Sequence, residues 1–183
     1  PEWHSEAGKE YYNIKDMDKV KELLAEAGYN GETFTLLVSS DYQEFYNAAV
    51  VIENQLEQAG INVELLVSDW ATFLTYRSDS SAFNAFITSW SPVALPTLLN
   101  WMTETYPGWV VDAKLIEMEE KLNTSTSKEE SIAIWEEMQE YCWSASLPIS
   151  KFGDFSMLGV ASSNIQDMVY HFGPFAYNAT VTK

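Results

Sequence analysis

The chain has 183 residues, with 27 acidic and 10 basic side chains, so its formal net charge at neutral pH is −17. This charge argues against binding to nucleic acid or docking on anionic lipid, since both require a basic surface. The length fits one domain, or one domain with a short extension. The single cysteine, Cys142, excludes an internal disulfide and a cysteine-based metal site, and its helical surroundings predict a small buried side chain.

Residues 1–15 have no clear period and are predicted to form a connecting arm. They contain no signal peptide or targeting segment, and the chain starts at Pro1 without a methionine, so we expect a fragment or a processed form. A regular pattern begins at Asp16, which is predicted to cap a helix that Gly28 ends. The apolar residues of this helix share one face: Val20, Leu23, Leu24 and Ala27.

A βαβ unit is predicted next. Phe34 and Val38 mark one alternating strand, and Ile61 and Val67 mark the ends of another. The helix between them ends at Gly60, and its predicted caps and buried stripe are Ser39, Ser40 and Asp41, and Phe45, Ala49, Ile52 and Leu56. A strand, a helix and a strand within about 35 residues imply two parallel strands joined by a right-handed crossover.

The longest stretch without a charged residue runs from Ser80 to Thr103. Its first half, Phe83 to Trp90, is predicted to be a strand with Phe83, Ala85 and Ile87 on one face and Phe86 and Trp90 on the other. Apolar residues on both faces indicate a central strand. A membrane span is excluded because two prolines, two asparagines and many hydroxyl side chains leave the stretch too polar.

The predicted fold class is therefore α/β, with a mixed but mostly parallel open sheet flanked by helices. Asp69 is expected to cap a short helix over Trp70 to Arg77. After the uncharged stretch, Tyr106 to Trp109 form a turn, and Asp112 and Ser127 each cap a further helix. From Gly159 onward the pattern is weak and indicates short strands and turns.

No catalytic or metal-binding arrangement emerges from the sequence. His4 and His171 are isolated, no second ligand lies at metal spacing, and no glycine-rich phosphate loop or nucleophile elbow is present. We therefore predict neither an enzyme nor a bound cofactor, although an enzyme of unknown type stays an alternative.

A binding site is better supported. Ligands of open α/β sheets lie beyond the carboxyl ends of the parallel strands. Here those ends are predicted at Ser39 to Tyr42, Ser68 to Trp70 and Ser89 to Ser91, and each combines small hydroxyl groups with an aromatic ring. Ser39, Asp41 and Asp69 are interpreted mainly as helix caps.

Four segments resemble, in order, segments of the family 5 extracellular solute-binding proteins, which are the peptide-, nickel- and opine-type receptors of ABC importers. These segments are Asp16 to Tyr29, Ala49 to Glu64, the strand that ends at Trp90, and Glu129 to Ile149 with its Leu147-Pro148-Ile149. The resemblance covers most of the chain, from Tyr11 to Gly159.

The resemblance implies a two-lobed, hinged receptor of the type II periplasmic-binding-protein class, of which this chain is the C-terminal lobe. Residues 1–15 would be the connecting arm, 16–158 the ligand-binding lobe, and 159–183 an extension that returns toward the missing N-terminal lobe. The implied partners are a small-molecule or peptide ligand and a transporter permease, without nucleic acid and with the receptor as a monomer. The implied location is extracytoplasmic, either periplasmic or as a cell-surface lipoprotein.

One position departs from the pattern of the peptide-binding members, in which the Trp is followed by an Asp that anchors the peptide α-amino group. That position falls on Val93. An apolar side chain cannot pair with an ammonium group, and a buried unpaired charge costs several kcal/mol. We therefore expect a ligand other than a free-amine peptide held in the usual way.

Trp90 is the expected wall of the cleft, with Ser91 and the following backbone beside it. The expected ligand-binding residues are Ser89, Trp90, Ser91, Pro92, Val93, Tyr42 and Trp70. Neither a catalytic residue nor a metal ligand is expected. A sensory or signalling module of the same fold, binding a partner protein, is the alternative.

Overall fold

The computed structural model describes residues 3–91, 93–154, 156, 159–170 and 174–182. The chain divides into two compact units, 1–149 and 150–183, and each is described by itself. The predicted roles of the arm, the lobe and the extension stay predictions.

The first unit contains a parallel three-stranded sheet: β1 (Thr33–Ser39), β2 (Asn62–Ser68) and β3 (Ala85–Phe86). The strand order is β2-β1-β3, and β1 pairs in register with β2 from Thr33↔Asn62 to Ser39↔Ser68. Helices α2 (Gln43–Ala59) and α3 (Trp70–Arg77) form the two crossovers. The predicted βαβαβ pattern is therefore confirmed.

The two crossover connections run in opposite directions across the sheet. The chain moves from β1 to β2 on one side and then returns to β3 on the other side of β1. Because both crossovers are expected to be right-handed, α2 and α3 are placed on opposite faces of the sheet. The gap between β1 and β3 is consequently a topological switch point, where ligands of such sheets bind.

One face of the sheet carries the sheet cluster, which we define as the buried residues Leu36, Val38, Phe45, Ala49 and Ile87. Leu36 and Val38 alternate along β1, and Phe45 and Ala49 lie four residues apart on α2, so the two periods of 2.0 and 3.6 residues meet. Leu37 and Phe73, which are fully buried, lie outside this cluster, and Leu37 points to the opposite face of the strand.

The predicted strand Phe83 to Trp90 is wrong in length and position. It contains only Ala85 and Phe86, and it lies at the edge of the three strands, whereas β1 is the central strand. At its start the Asn84 side chain, rather than a backbone carbonyl, accepts the Thr35 N–H (2.7 Å). At its end the Ile87 N–H donates to the Leu37 carbonyl (3.0 Å), and no further pair with β1 follows.

The predicted faces of this segment are correct within the strand. Ala85 and Ile87 pack with the sheet cluster, while the Phe86 ring contacts Phe73 of α3. Phe83 is the exception, because it precedes the strand and packs on Phe86 and Trp109 instead.

Helix α1 (Met17–Glu26) begins at the predicted cap, where the Asp16 side chain accepts the Lys19 N–H (2.9 Å), and Gly28 follows its end with a left-handed φ of 73°. Its apolar face is not buried, and Leu23 is 51% exposed. The hydrophobic period therefore predicts the helix correctly, but it does not show that another element packs on the apolar face.

A second core joins α4 (Ala113–Thr124) and α5 (Lys128–Tyr141). Its buried residues, which we define as the helix cluster, are Met102, Leu115, Met118, Leu122 and Met138. Asp112 caps α4 and Ser127 caps α5, as predicted, although the Glu130 carboxylate accepts from the Thr126 N–H instead of completing the box at Ser127. Cys142 is partly buried against this cluster.

The 150–183 unit contains short strands: β4 (Ile165–Gln166), β5 (Val169–Tyr170), β6 (Pro174–Phe175) and β7 (Thr180–Val181). β4 pairs with β7 and β5 with β6, both antiparallel. This agrees with the short strands predicted for this segment.

Candidate functional site

The candidate site lies at the carboxyl ends of β1 and β2, which the register places side by side. Ser39 pairs with Ser68, and the Ser40 N–H and hydroxyl both donate to the Ser68 carbonyl (2.8 and 3.1 Å). The Ser68 hydroxyl is buried and has no hydrogen-bond partner among the residues that the structure describes. Two of the three hydroxyl-rich strand ends predicted from the sequence, those of β1 and β2, thus lie together.

Asp41 does not cap the helix that follows it. The N-cap of α2 is Tyr42, which makes no side-chain capping bond, and the Asp41 carboxylate instead accepts the backbone N–H of Trp70 (2.9 Å). Asp69 also serves α3, because it accepts the N–H (3.1 Å) and the hydroxyl (2.7 Å) of Thr72. These bonds lower the pKa of the Asp69 carboxyl, the Thr72 hydroxyl first.

Tyr42 and Trp70 are brought together by this arrangement. Their rings meet edge to face with centroids 5.2 Å apart, and Trp70 stacks on Phe73 at 4.9 Å. Phe73 contacts Phe86, which leads the ring series to β3. Tyr42 is 38% exposed, so its ring also faces solvent at this edge of the sheet.

Trp90 is held separately, in the loop after β3. Its indole Nε1 donates to the Asn100 side-chain oxygen (3.0 Å), and its ring lies 5.3 Å from the Tyr106 ring. Tyr106 belongs to the predicted turn, in which the Trp109 N–H donates to the Tyr106 carbonyl (2.8 Å). Trp90 is half-buried, so part of it stays accessible.

Arg77, at the end of α3, connects the two aromatic groups. Its guanidinium carbon lies 5.7 Å from the centroid of Tyr106 and 6.0 Å from those of Phe73 and Phe86, which is within cation–π range. Burial raises the pKa of the Tyr106 phenol, and the positive charge of Arg77 opposes that rise. Within the described residues, no carboxylate forms an ion pair with Arg77, and its Nε is buried without a partner.

The loop after Trp90 presents an uncharged, largely apolar surface. Val93, Leu95 and Leu98 are 39, 47 and 59% exposed, and Ser89 and Ser91 are also exposed. Pro92 lies outside the described residues. The site residues Trp90, Ser91 and Val93 therefore share one loop, and their role stays a prediction.

A shallow cavity of about 410 Å³ lies elsewhere, lined by Gly108, Val110, Val111, Asp112, Ala145, Ser146 and Pro148. None of the expected ligand-binding residues lines it. Its one charged residue, Asp112, is already engaged by the Leu115 N–H (3.1 Å) and the Tyr141 hydroxyl (2.9 Å), and the Leu115 bond is the main reason for its lowered pKa. We therefore infer that the Asp112 carboxylate stabilises the fold and is not a ligand-binding group.

Asn100, Tyr106 and Arg77 were missed by the sequence interpretation. Asn100 and Tyr106 follow Trp90 by 10 and 16 residues in loops without a period, so no pattern relates them. Arg77 did offer a signal, because it is the single arginine in a chain with 27 acidic residues. Arginine stacks on rings better than lysine, and this makes a lone arginine beside aromatic residues informative.

Neither a metal centre nor a membrane helix is found in the part of the chain that the structure describes. No three His, Cys, Asp or Glu residues among those described are grouped to hold a metal. None of the helices described there has the length and apolarity that a bilayer crossing requires.

The fold is shared with solved structures of type II periplasmic binding proteins. The dipeptide-binding protein of Pseudoalteromonas sp. SM9913, in complex with Met-Leu, matches 99% of this chain and 38% of its own length, with a TM-score of 0.71 and 16% identity. The oligopeptide-binding protein AppA of Bacillus subtilis, in complex with a nonapeptide, matches 92% and 38%, with a TM-score of 0.69 and 17% identity. The predicted fold class is confirmed.

The sequence matches the family model of the bacterial extracellular solute-binding proteins, family 5 Middle, over residues 1–107, which is more than half of the chain. The chain therefore belongs to this family, as the resemblance implied, and its members are solute-binding proteins rather than enzymes. It is 30% identical over 139 residues to a probable peptide ABC transporter periplasmic-binding protein, y4tO, of Sinorhizobium fredii. That alignment covers 70% of this chain but only 26% of the relative.

Proposed function

We propose that this chain is the C-terminal lobe of a substrate-binding receptor of an ABC importer. The receptor captures its ligand by closing two lobes about a hinge, delivers it to a membrane permease, and works as a monomer outside the cytoplasm. Family membership and the α/β fold support this proposal. The chain's coverage of about a quarter of its curated relative is consistent with one lobe of a longer receptor.

The observation that carries the binding role is the position of the Trp90 loop. It follows β3 at the switch point between β1 and β3, where open α/β sheets bind ligands. The loop offers a half-buried indole ring, exposed hydroxyls at Ser89 and Ser91, and exposed apolar side chains. Pockets commonly combine an apolar wall with a few hydrogen-bonding groups in this way.

The proposed cargo lacks a free ammonium group at this loop. Val93 stands where the peptide-binding pattern has an aspartate, and its side chain is exposed, as are those of Leu95 and Leu98 further along the chain. A ligand with a blocked or absent amino group and an apolar end complements such a surface. Trileucine and its N-acetylated form are therefore a matched pair of probes, since they differ in the ammonium group.

The test of the wall is Trp90→Ala in the complete receptor. We expect N-acetyl-trileucine to bind the variant more weakly by over about 1 kcal/mol, as aromatic anchors do at binding sites. Isothermal calorimetry measures the change, and Tyr177→Ala, which removes an exposed ring in the other unit, is the control. Equal affinities of Trp90→Ala and wild type would remove Trp90 from the site.

The test of the ligand class is Val93→Asp. The new carboxylate should favour trileucine over N-acetyl-trileucine by about tenfold relative to wild type, since a charged hydrogen bond contributes about 1.5 kcal/mol or more. A thermal-shift screen of wild type against peptides, opines, sugars and metal chelates accompanies this measurement. Stabilisation of wild type by free-amine peptides alone would contradict the proposed ligand class.

A further inference from the structure

Three residues, Asn100, Tyr106 and Arg77, hold the Trp90 side chain in place directly or through a neighbour. Asn100 accepts its indole N–H at 3.0 Å, and the centroid of the Tyr106 ring lies 5.3 Å from that of its own ring. Arg77 acts through Tyr106, because its guanidinium carbon lies 5.7 Å from the Tyr106 ring centroid. The hydroxyl of Tyr106 also lies 3.5 Å from the Arg77 guanidinium. All of these residues belong to the 1–149 unit.

We propose that Asn100, Tyr106 and Arg77 are positioning residues that fix the Trp90 indole and determine which part of it a ligand meets. This inference rests on the proposed role of Trp90 in ligand binding. It adds that the Trp90 ring is already held in place before the ligand binds. The three residues that hold it do not themselves need to contact the ligand.

The hydrogen bond to Asn100 has a chemical consequence for recognition. An indole has one donor and no acceptor, and here that donor is already used inside the protein. Trp90 can therefore offer a ligand its apolar ring surface but not a hydrogen bond. The contact selects an apolar or aromatic group of the cargo rather than a carbonyl or carboxylate.

Arg77 is suited to this supporting role because its charge is directed at rings. The guanidinium lies within about 6 Å of three ring centroids, a distance at which a cation is attracted to the π face. Rings from α3, β3 and the Tyr106 turn thus contact the same cation. These contacts connect the turn that contains Tyr106, the ring next to Trp90, to α3 and β3. A lysine at this place would keep the charge but lose the planar stacking.

Asn100 provides the sharpest test, because two variants separate its acceptor from its size. Asn100→Leu removes the acceptor, and Asn100→Asp keeps an oxygen at the same distance along the side chain. The readout is the indole ¹H–¹⁵N signal of Trp90 in the ligand-free complete receptor, labelled with ¹⁵N-tryptophan and assigned with Trp90→Phe.

We expect the Trp90 signal to move upfield in Asn100→Leu, with exchange of the indole proton faster by about two- to tenfold, the factor that one net hydrogen bond represents. In Asn100→Asp the signal should stay near its wild-type position. A wild-type signal and exchange rate in Asn100→Leu would overturn the proposal, whatever the ligand.

Arg77 is tested with Arg77→Met and Arg77→Lys, and Lys121→Met removes one exposed positive charge elsewhere as a control. The Trp90 signal should broaden or shift in Arg77→Met, change less in Arg77→Lys, and stay unchanged in Lys121→Met. An unchanged signal in a folded Arg77→Met would remove Arg77 from the support. The tyrosine ring signals report whether that variant is folded.

Binding of N-acetyl-trileucine links the support to recognition. Asn100→Leu should show part of the affinity loss of Trp90→Ala, and Asn100→Asp should bind as wild type does. If Trp90→Ala leaves the affinity unchanged while Asn100→Leu still moves the Trp90 signal, the proposed ligand-binding role fails and the support of the ring stands. If Trp90→Ala weakens binding but Asn100→Leu leaves the Trp90 signal unchanged, the ligand-binding role of Trp90 stands and the proposed support by Asn100 fails.

Discussion

The sheet cluster and the helix cluster are two cores of the same unit that are built from different kinds of side chain. In the sheet cluster, four of the five buried residues are branched or aromatic, and they lie on elements that follow one another between residues 33 and 87. In the helix cluster, three of the five buried residues are methionines, and Met102 comes from a short 3-10 helix, Asn100–Met102, rather than from α4 or α5. Stiff side chains fit one pleated surface, whereas methionine adapts to irregular gaps. The two cores should therefore differ in their tolerance of substitution.

The largest expected effect is in the sheet cluster. Phe45→Ala removes a nearly fully buried ring between α2 and β1, and we expect the free energy of unfolding to fall by about 3–5 kcal/mol. Urea denaturation measures the loss, and Val51→Ala on the exposed side of the same helix should change it by less than about 0.5 kcal/mol. A loss below about 1 kcal/mol for Phe45→Ala would show that this core can collapse around the missing ring.

The helix cluster should tolerate a change of shape better. Met138 is fully buried, and Met138→Leu is expected to cost less than about 1.5 kcal/mol, while Met138→Ala costs about 2–5 kcal/mol. The same urea titration gives both numbers. Equal losses for Leu and Ala would mean that the flexible thioether is specifically required, and that the contrast between the two cores is wrong.

A smaller effect is expected at the start of the helix cluster, where Asp112 caps α4. Asp112→Ala should cost about 1 kcal/mol, as loss of a cap usually does, and Asp112→Asn should cost less because it keeps an acceptor. The lowered pKa of Asp112 means that this stabilisation is present above the carboxyl's unfolded pKa and is lost as the pH falls through its folded pKa. The difference between wild type and Asp112→Ala should accordingly shrink in acid, and a constant difference would contradict the cap.

The smallest effect concerns Cys142 beside the helix cluster. Burial raises the pKa of its thiol to about 11, so the thiol stays protonated in the folded chain at neutral pH. Iodoacetamide should alkylate it far more slowly in the folded chain than in urea. The stabilising contribution of the protonated thiol is complete below its unfolded pKa and is lost as the pH rises toward 11. Rapid alkylation of the folded chain at neutral pH would show that the Cys142 thiol is accessible to solvent and is not protected by the helix cluster.

Regular elements were largely predictable because their signals are local. The βαβ unit and the caps at Asp16, Asp69 and Asp112 follow from periods and side chains within a few residues. The extent of β3 was not predictable from its own residues. It depends on what β1 still offers for pairing, and the Asn84 side chain occupies the Thr35 N–H at the point where the ladder would begin.

The positions of two expected site residues, Tyr42 and Trp70, were predictable from the sequence, but the contacts that hold the expected site residues in place were not. Tyr42 and Trp70 lie together after β1 and β2, as their positions at strand ends predicted, whereas Trp90 lies four residues beyond the end of β3. The ligand-binding role of all three stays a prediction. The bond from Asp41 to the Trp70 N–H joins residues 29 positions apart, and a capping pattern assigns Asp41 to its own helix instead. The exposed face of α1 has a related cause, since a hydrophobic period tells which residues share a face but not what lies opposite them.

The shortness of β3 has a consequence for how copies of this chain meet each other in solution. A strand at the edge of a sheet is a template on which another chain can add its own strand. β3 offers only two residues for such an addition. With a net charge of −17 on every molecule, colliding copies would repel one another and find little free ladder on this edge. We therefore expect the short β3 to disfavour edge-to-edge pairing of two copies, while the loop that follows it carries Trp90.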